Sequence, residues 1–91
     1  EGLPIFDVNK SLIRDGRDVL DLLCEDTEIF TSKGELRRLI KGNGLSINKE
    51  KFTNPEVQIS STFVINEKYI LIQKGKKNYY IIRLTDWYQK V

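Results

Sequence analysis

No histidine occurs anywhere in this chain. That removes the commonest general base and the usual transition-metal ligand. The single cysteine, Cys24, allows neither an internal disulfide nor a cysteine-based zinc site. It lies in an apolar helical segment and reads as a small core residue. Neither a Gly-x-x-x-x-Gly-Lys-Ser/Thr phosphate loop nor a G-x-S-x-G elbow is present. There is no long apolar run and no signal-peptide pattern, so neither a membrane span nor secretion is expected. A reducing, cytoplasmic location fits. Internal repeats, low-complexity tracts and long linkers are also missing. With 91 residues, the chain has room for one domain over residues 1–91, which buries only about 60–65% of its unfolded surface. It starts at Glu1 rather than Met, which we read as a piece cut from something longer.

Excess charge is scarce too. Fifteen basic residues against thirteen acidic give a net charge of +2. The distribution is more informative than the total. Six acids (Asp15, Asp18, Asp21, Glu25, Asp26 and Glu28) crowd one segment, and the remainder is distinctly basic. Such asymmetry creates a local field even where the sum is near zero. The acids form pairs, Asp18 with Asp21 and Glu25 with Asp26, that could do acid–base work or bind a hard cation. Solvated acids near a helix N-terminus are the simpler expectation.

What is present centres on Ser32 to Asn48. Ser32 and Glu35 form an S-x-x-E capping box, in which each side chain satisfies a backbone N–H near the other. Leu36, Leu39 and Ile40 fall at i, i+3 and i+4 and make one apolar stripe. Gly42 and Gly44 follow, where a left-handed C-cap favours glycine, and Asn43 tolerates the same conformation. The period then drops to 2, so Leu45 and Ile47 read as one face of a strand. Lys33, Arg37 and Lys41 drift round one flank of the helix, and Arg38 extends the positive sweep away from the core. Glu35 is the only acid in the helix. A solvated face is the bland explanation. Positives without alternating acids, beside a glycine loop, favour a surface for phosphates.

At these residues the chain resembles a known family. Ser32-Lys33-x-Glu35-x-Arg37-Arg38-x-Ile40, followed by Gly42-x-Gly44-x-x-Ile47-Asn48, is similar to the core of the alpha-L RNA-binding domain, named for the small-subunit ribosomal protein "S-four". Further on, Gly75-Lys76-Lys77-Asn78-Tyr79-Tyr80 with Ile82 and Arg83 resembles the closing hairpin of that domain in bacterial-type tyrosyl-tRNA synthetases. The resemblance spans roughly residues 19–84. Gly34, where a better helix former is expected, and Asn43, in a run that is often all glycine, depart from the pattern without removing a charge.

Around that core, residues 3–8 form a short extended piece that Pro4 restricts to a sheet edge or a strand start. Asp15-Gly16 is a turn signal. Arg17 to Cys24 is the first helix, and Lys10, Arg14 and Arg17 add positive charge on the approach. Phe30 can staple against Leu36. Lys49-Glu50 reads as a two-residue turn returning through Lys51-Phe52, Thr53-Asn54-Pro55 breaks the chain, and residues 57–65 read as strand. Tyr69 to Ile72 is a strong strand. Gly75-Lys76 suits a type II′ turn, which places Ile72 opposite Tyr79 and Leu71 opposite Tyr80, with both hairpin faces apolar. Trp87 and Tyr88 belong to an aromatic tail. The architecture expected is α+β, with two short helices packed on a small, mostly antiparallel sheet. Its core motif spans 18–52 and its closing hairpin 69–84.

The candidate RNA-binding residues are therefore Lys33, Arg37, Arg38, Lys41 and Asn43, with Lys74, Lys76, Lys77 and Asn78 at the hairpin. The hairpin group combines cations for phosphate with an amide for 2′-hydroxyls or base edges. Lysines at such tips also simply protect sheet edges. Tyr79 and Tyr80 read as packing residues before stacking ones. No catalytic, metal or cofactor site is expected in the domain itself. The resemblance implies a C-terminal module that grips tRNA(Tyr) by shape and phosphate, beside a catalytic domain of the same parent chain. The parent would be a homodimeric tyrosine–tRNA ligase using ATP and Mg. Two alternatives stay open. The same fold serves other RNA enzymes, such as a pseudouridine synthase, or a ribosome-associated factor; a protein–protein module using the hairpin face and the tail belongs to another class. On this reading the chain alone shows no tyrosine-dependent ATP–pyrophosphate exchange, and measurable exchange by the purified protein would refute it.

Overall fold

In the computed structural model, which describes residues 3–85, an α+β domain is built on a five-stranded sheet. The strands are β1 (Ile5–Asn9), β2 (Leu45–Ile47), β3 (Glu50–Lys51), β4 (Tyr69–Lys74) and β5 (Asn78–Thr85), in the order β1-β5-β4-β2-β3. β1 runs parallel to β5 and the other neighbours are antiparallel. β1 is an edge strand, and Pro4 precedes it while lending its carbonyl to the Ile81 N–H at 2.9 Å, so the proline stands where it costs no ladder bond.

Alternation along the central strands decides the layers. Ile70 and Ile72 of β4 and Ile82 and Leu84 of β5 are buried, together with Val8, Leu45 and Ile47. They form one cluster with Val19, Leu22, Leu23, Phe30, Leu36 and Ile40 from the helical segments. The opposite face, with Leu71, Tyr79 and Ile81, is half-buried, and Ile5 beside Ile81 is exposed. One face of the hairpin thus packs into the core up to its tip, and the other is apolar but open. Tyr80 lies on the core side with its ring 6.4 Å from that of Phe6, a packing residue as expected.

The first helix begins later than residue 17. Asp18 caps it, its carboxylate accepting from the Leu20 and Asp21 N–H groups at 3.1 Å each. Over Asp21–Asp26 it winds out to a π-helix. Thr27 closes that wide turn by donating its hydroxyl to the Leu22 carbonyl at 3.0 Å. Periodicity cannot distinguish so short a widened coil from an α-helix.

α1 (Lys33–Lys41) starts as expected, with the Ser32 hydroxyl accepting from the Glu35 N–H at 3.0 Å. The reciprocal half of the box is replaced. Glu35 instead accepts from Thr31 Oγ1 at 3.3 Å and lies 3.6 Å from Lys74 Nζ. At the other end, the left-handed residue is Asn43, at φ 60, and not either glycine. The Asn43 N–H reaches the Ile40 carbonyl at 3.1 Å and the Gly44 N–H reaches Leu39 at 2.8 Å, the paired bonds of a Schellman turn. Gly44 is needed for space, because a Cβ there would collide with Leu39 Cδ1.

Three loop expectations are corrected. Ile47 pairs with Glu50, so the β2–β3 turn is Asn48-Lys49 instead of Lys49-Glu50. Both turn residues have positive φ, 55° and 72°, as a type I′ hairpin requires. In the closing hairpin Lys74 pairs with Asn78 and Ile72 with Tyr80, one residue from the expected register. The loop holds three residues, Gly75 to Lys77, with Gly75 at φ 70. Residues 57–65 form no strand; they make only isolated bridges, Arg17 with Ile59 and Ile65 with Tyr69. Between them the Ser60 hydroxyl, which accepts from the Thr62 N–H and hydrogen-bonds the Thr62 hydroxyl, caps a 3-10 turn, Ser61–Phe63, the local competition that side-chain oxygens offer to a sheet. The Trp87-Tyr88 tail lies outside the described residues.

Two glycines of the central motif separate by physics. Gly44→Ala forces Leu39 aside and should cost about 1–3 kcal/mol. Gly34→Ala meets only Arg38 Nη1 at 3.8 Å and should gain about 0.4–1 kcal/mol by restricting the unfolded chain. Thermal denaturation of both variants checks the opposite signs.

Candidate nucleic-acid interface

The candidate surface is assembled where two turns meet. The Gly44 carbonyl, just past the α1 C-terminus, accepts the Gly75 N–H at 2.8 Å. That bond ties the end of the helix to the tip of the β4–β5 hairpin. Lys41 lies in the last turn of α1, where the helix dipole favours a cation. Arg37 and Arg38 precede it by four and three residues, hence on neighbouring helix surface, and all three side chains are exposed. Arg38 folds back along the helix towards Gly34. Lys76 and Lys77 stand exposed on the hairpin loop, Asn78 at the start of β5 and Asn43 on the Schellman turn.

Strand β3 adds one cation to this corner. Lys51 donates to the Asn43 carbonyl at 2.9 Å, whereas Lys49 stands exposed in the turn at the other end of β2, towards the start of β4. Sequence reasoning missed Lys51 by assigning it to a hairpin alone. The signal available was its spacing directly behind the Gly-x-Gly-x-x-Ile-Asn run. Asn48 anchors the distant turn. Its side chain donates to the Phe63 carbonyl and accepts the Leu71 N–H at 2.9 Å.

Two of the sequence-predicted cations are engaged inside the domain. Lys33 Nζ lies 2.8 Å from Asp21 and 3.0 Å from Glu25. Hydrogen bonds to those carboxylates push its ammonium well above the ordinary lysine range and hold the Asp21 carboxyl below the ordinary carboxylate range. The acids absent from α1 are therefore supplied by the preceding helix. Lys74 sits 5.3 Å above the centre of the Phe30 ring and 3.6 Å from Glu35, on the core side of the hairpin. The remaining candidates form the exposed rim.

The acid pairs have structural work of their own. Asp18 caps the helix, Asp21 and Glu25 hold Lys33, and Asp26 takes Arg17 in a two-point bond of 2.8 and 3.1 Å. Among the described residues, no group of three or more Cys, Asp or Glu could hold a metal ion. Cys24 is half-buried, and burial raises its thiol pKa, so it is not an activated nucleophile. No helix among the described residues is long and apolar enough to cross a membrane.

A small sheet with helices on one face, and basic turns gathered at one corner, is compatible with the alpha-L class of RNA-binding domains. Comparison with known proteins narrows the class. The family model described as tyrosine–tRNA ligase SYY-like C-terminal domain matches residues 1–82, and the chain belongs to that family. The chain is 42% identical over 82 residues to the tyrosine–tRNA ligase of Bacteroides fragilis, covering 90% of this chain and 19% of that protein. With the enzyme of Porphyromonas gingivalis identity is 44% over 81 residues, 89% of this chain and 19% of the relative. For Cytophaga hutchinsonii the figures are 44% over 87 residues, 93% and 20%. The chain thus spans about a fifth of the length of the curated relatives it matches.

The Lys33 network yields a titration test. Because folding lowers the Asp21 pKa, the pairing contributes stability above the ordinary carboxylate range and loses it as pH falls through the depressed value. In Lys33→Met the Asp21 titration, followed by carboxyl NMR, should move up towards the ordinary carboxylate range.

Proposed function

We propose that this domain binds tRNA, and tRNA(Tyr) in particular, through the rim formed by Arg37, Arg38, Lys41, Asn43, Lys51, Lys76, Lys77 and Asn78. In this role it supports tyrosine aminoacylation by a catalytic domain of the parent enzyme, which uses ATP and Mg and acts as a homodimer in the cytoplasm. The observation that carries the reading is the Gly44–Gly75 backbone bond, which sets the arginine-bearing helix and the lysine-bearing hairpin tip side by side. Membership of a tyrosine–tRNA ligase C-terminal family supports the choice of RNA. Exposed cations of this kind grip phosphates and fix register, while bases are read elsewhere. Recognition is therefore of RNA shape.

The test is Arg37→Glu with Arg38→Glu. Both side chains are exposed and Leu36 and Ile40 keep their core contacts, so stability should change by no more than about 0.5 kcal/mol per site. With roughly four phosphate contacts drawn from the rim, the slope of log affinity against log salt should be about −3, by analogy with single strands. The double variant should flatten it to around half that value. Unchanged tRNA affinity and slope in a folded variant would remove α1 from the interface. A salt-independent interaction in the parent protein would instead identify the apolar sheet face as a protein contact.

A further inference from the structure

A second concavity lies away from the rim, at the far end of the β4–β5 hairpin. It has a volume of about 360 Å³, within the range of about 300–1,000 Å³ of small-molecule sites. Ile13, Val64 and Leu84 line it with apolar surface, and Ile13 and Leu84 are themselves buried core residues. The exposed side chains of Lys10, Arg14, Ser61 and Glu67 surround that floor. The walls are fixed by backbone: Gly16 N–H bonds to Ile13, Val64 N–H to Ser61, and Leu84 N–H to Lys68, at 3.1, 3.1 and 2.8 Å. None of these residues takes part in the rim around Gly44.

An apolar floor with two cations and both a hydroxyl and a carboxylate on its edge is a mixed surface. A helical RNA backbone would need only the cations, and a hydrophobic peptide only the floor. An unpaired nucleotide uses all of them: a flat base on Ile13, Val64 and Leu84, its phosphate on Lys10 and Arg14, and an amino group donating to Glu67. We infer that this pocket, built by residues 10–14, 61–67 and the end of β5, holds one unpaired, amino-bearing nucleotide of the bound RNA. The inference rests on the RNA-binding reading above. Leu84 and the rim residue Asn78 are six positions apart on β5, about 20 Å along a strand. One RNA would thus be held at two points, by phosphates at the rim and by an unstacked base here.

Two variants of the 91-residue chain test the pocket by different means. Val64→Trp fills it without changing charge, and Arg14→Glu reverses an exposed rim charge. Each is titrated against an RNA hairpin carrying one unpaired adenosine and against the fully paired hairpin of equal length, with circular dichroism as the folding control. The expected result is a roughly 5- to 10-fold loss for the bulged RNA in both variants, the scale of one base contact. Val64→Trp should leave the paired RNA unaffected. Direct titration with adenosine monophosphate, followed by amide NMR, should shift Ile13, Val64 and Leu84 saturably in the unaltered chain and not in Val64→Trp. If Arg14→Glu weakens both RNAs equally while Val64→Trp weakens neither, the pocket is only background charge and the inference fails. It fails equally if neither variant changes either affinity while the Arg37, Arg38 double variant still does; the rim would then stand alone. Should the double variant also bind as before, the RNA-binding reading itself falls.

Discussion

The close approach at Gly44 is the constraint on which the candidate surface depends. Leu39 packs where a side chain at residue 44 would have to be, which lets the chain leave α1 and enter β2 within a few residues. The same residue presents its carbonyl to Gly75. The missing Cβ gives Leu39 its room, and the backbone carbonyl of the same residue ties the hairpin tip to the helix end. Together with the pairing of Leu45 and Lys74, that bond fixes Arg37 and Lys41 relative to Lys76 and Lys77.

The acidic segment acquires a different meaning once the chain is folded. Asp18, Asp21, Glu25 and Asp26 look like a counterweight that keeps net charge low. In the structure each is engaged locally, as a helix cap, as one of two bonds to Lys33, or as a bidentate hold on Arg17. Exposed ion pairs of this kind contribute modestly, so their main effect is one of arrangement. They pin the start of α1 to the preceding helix and withdraw Lys33 from the outer field. The positive surface then begins a turn later, at Arg37.

Elements with a strong period were legible in the sequence. The α1 stripe of Leu36, Leu39 and Ile40, the Ser32 cap and the Tyr69–Ile72 strand all stand where alternation and capping place them. Single-residue decisions were less so. The left-handed position fell on Asn43 because two neighbouring glycines and an asparagine can each adopt it, and only the packing of Leu39 assigns Gly44 to a different duty. The hairpin register moved by one because Gly75 is held from outside, by the Gly44 carbonyl, a contact no local turn preference contains. Lys33 and Lys74 differ from their basic neighbours through partners 12 and 39 residues away in sequence. Charge counting along a helix carries no information about such partners.

The parallel pairing of β1 with β5 has a consequence in time. Asp7 and Arg83 join these strands by paired bonds of 2.6 and 3.1 Å across 76 residues of chain. Every other neighbour in the sheet is closer in sequence. At a synthesis rate of about 5–20 residues per second, β1 waits roughly 4–15 s for its partner to be made. During that interval Phe6 and Val8 have no sheet to join, and the growing chain can complete β2, β3 and β4 first. Within this domain the first strand made is thus the one that waits longest for its partner in the sheet.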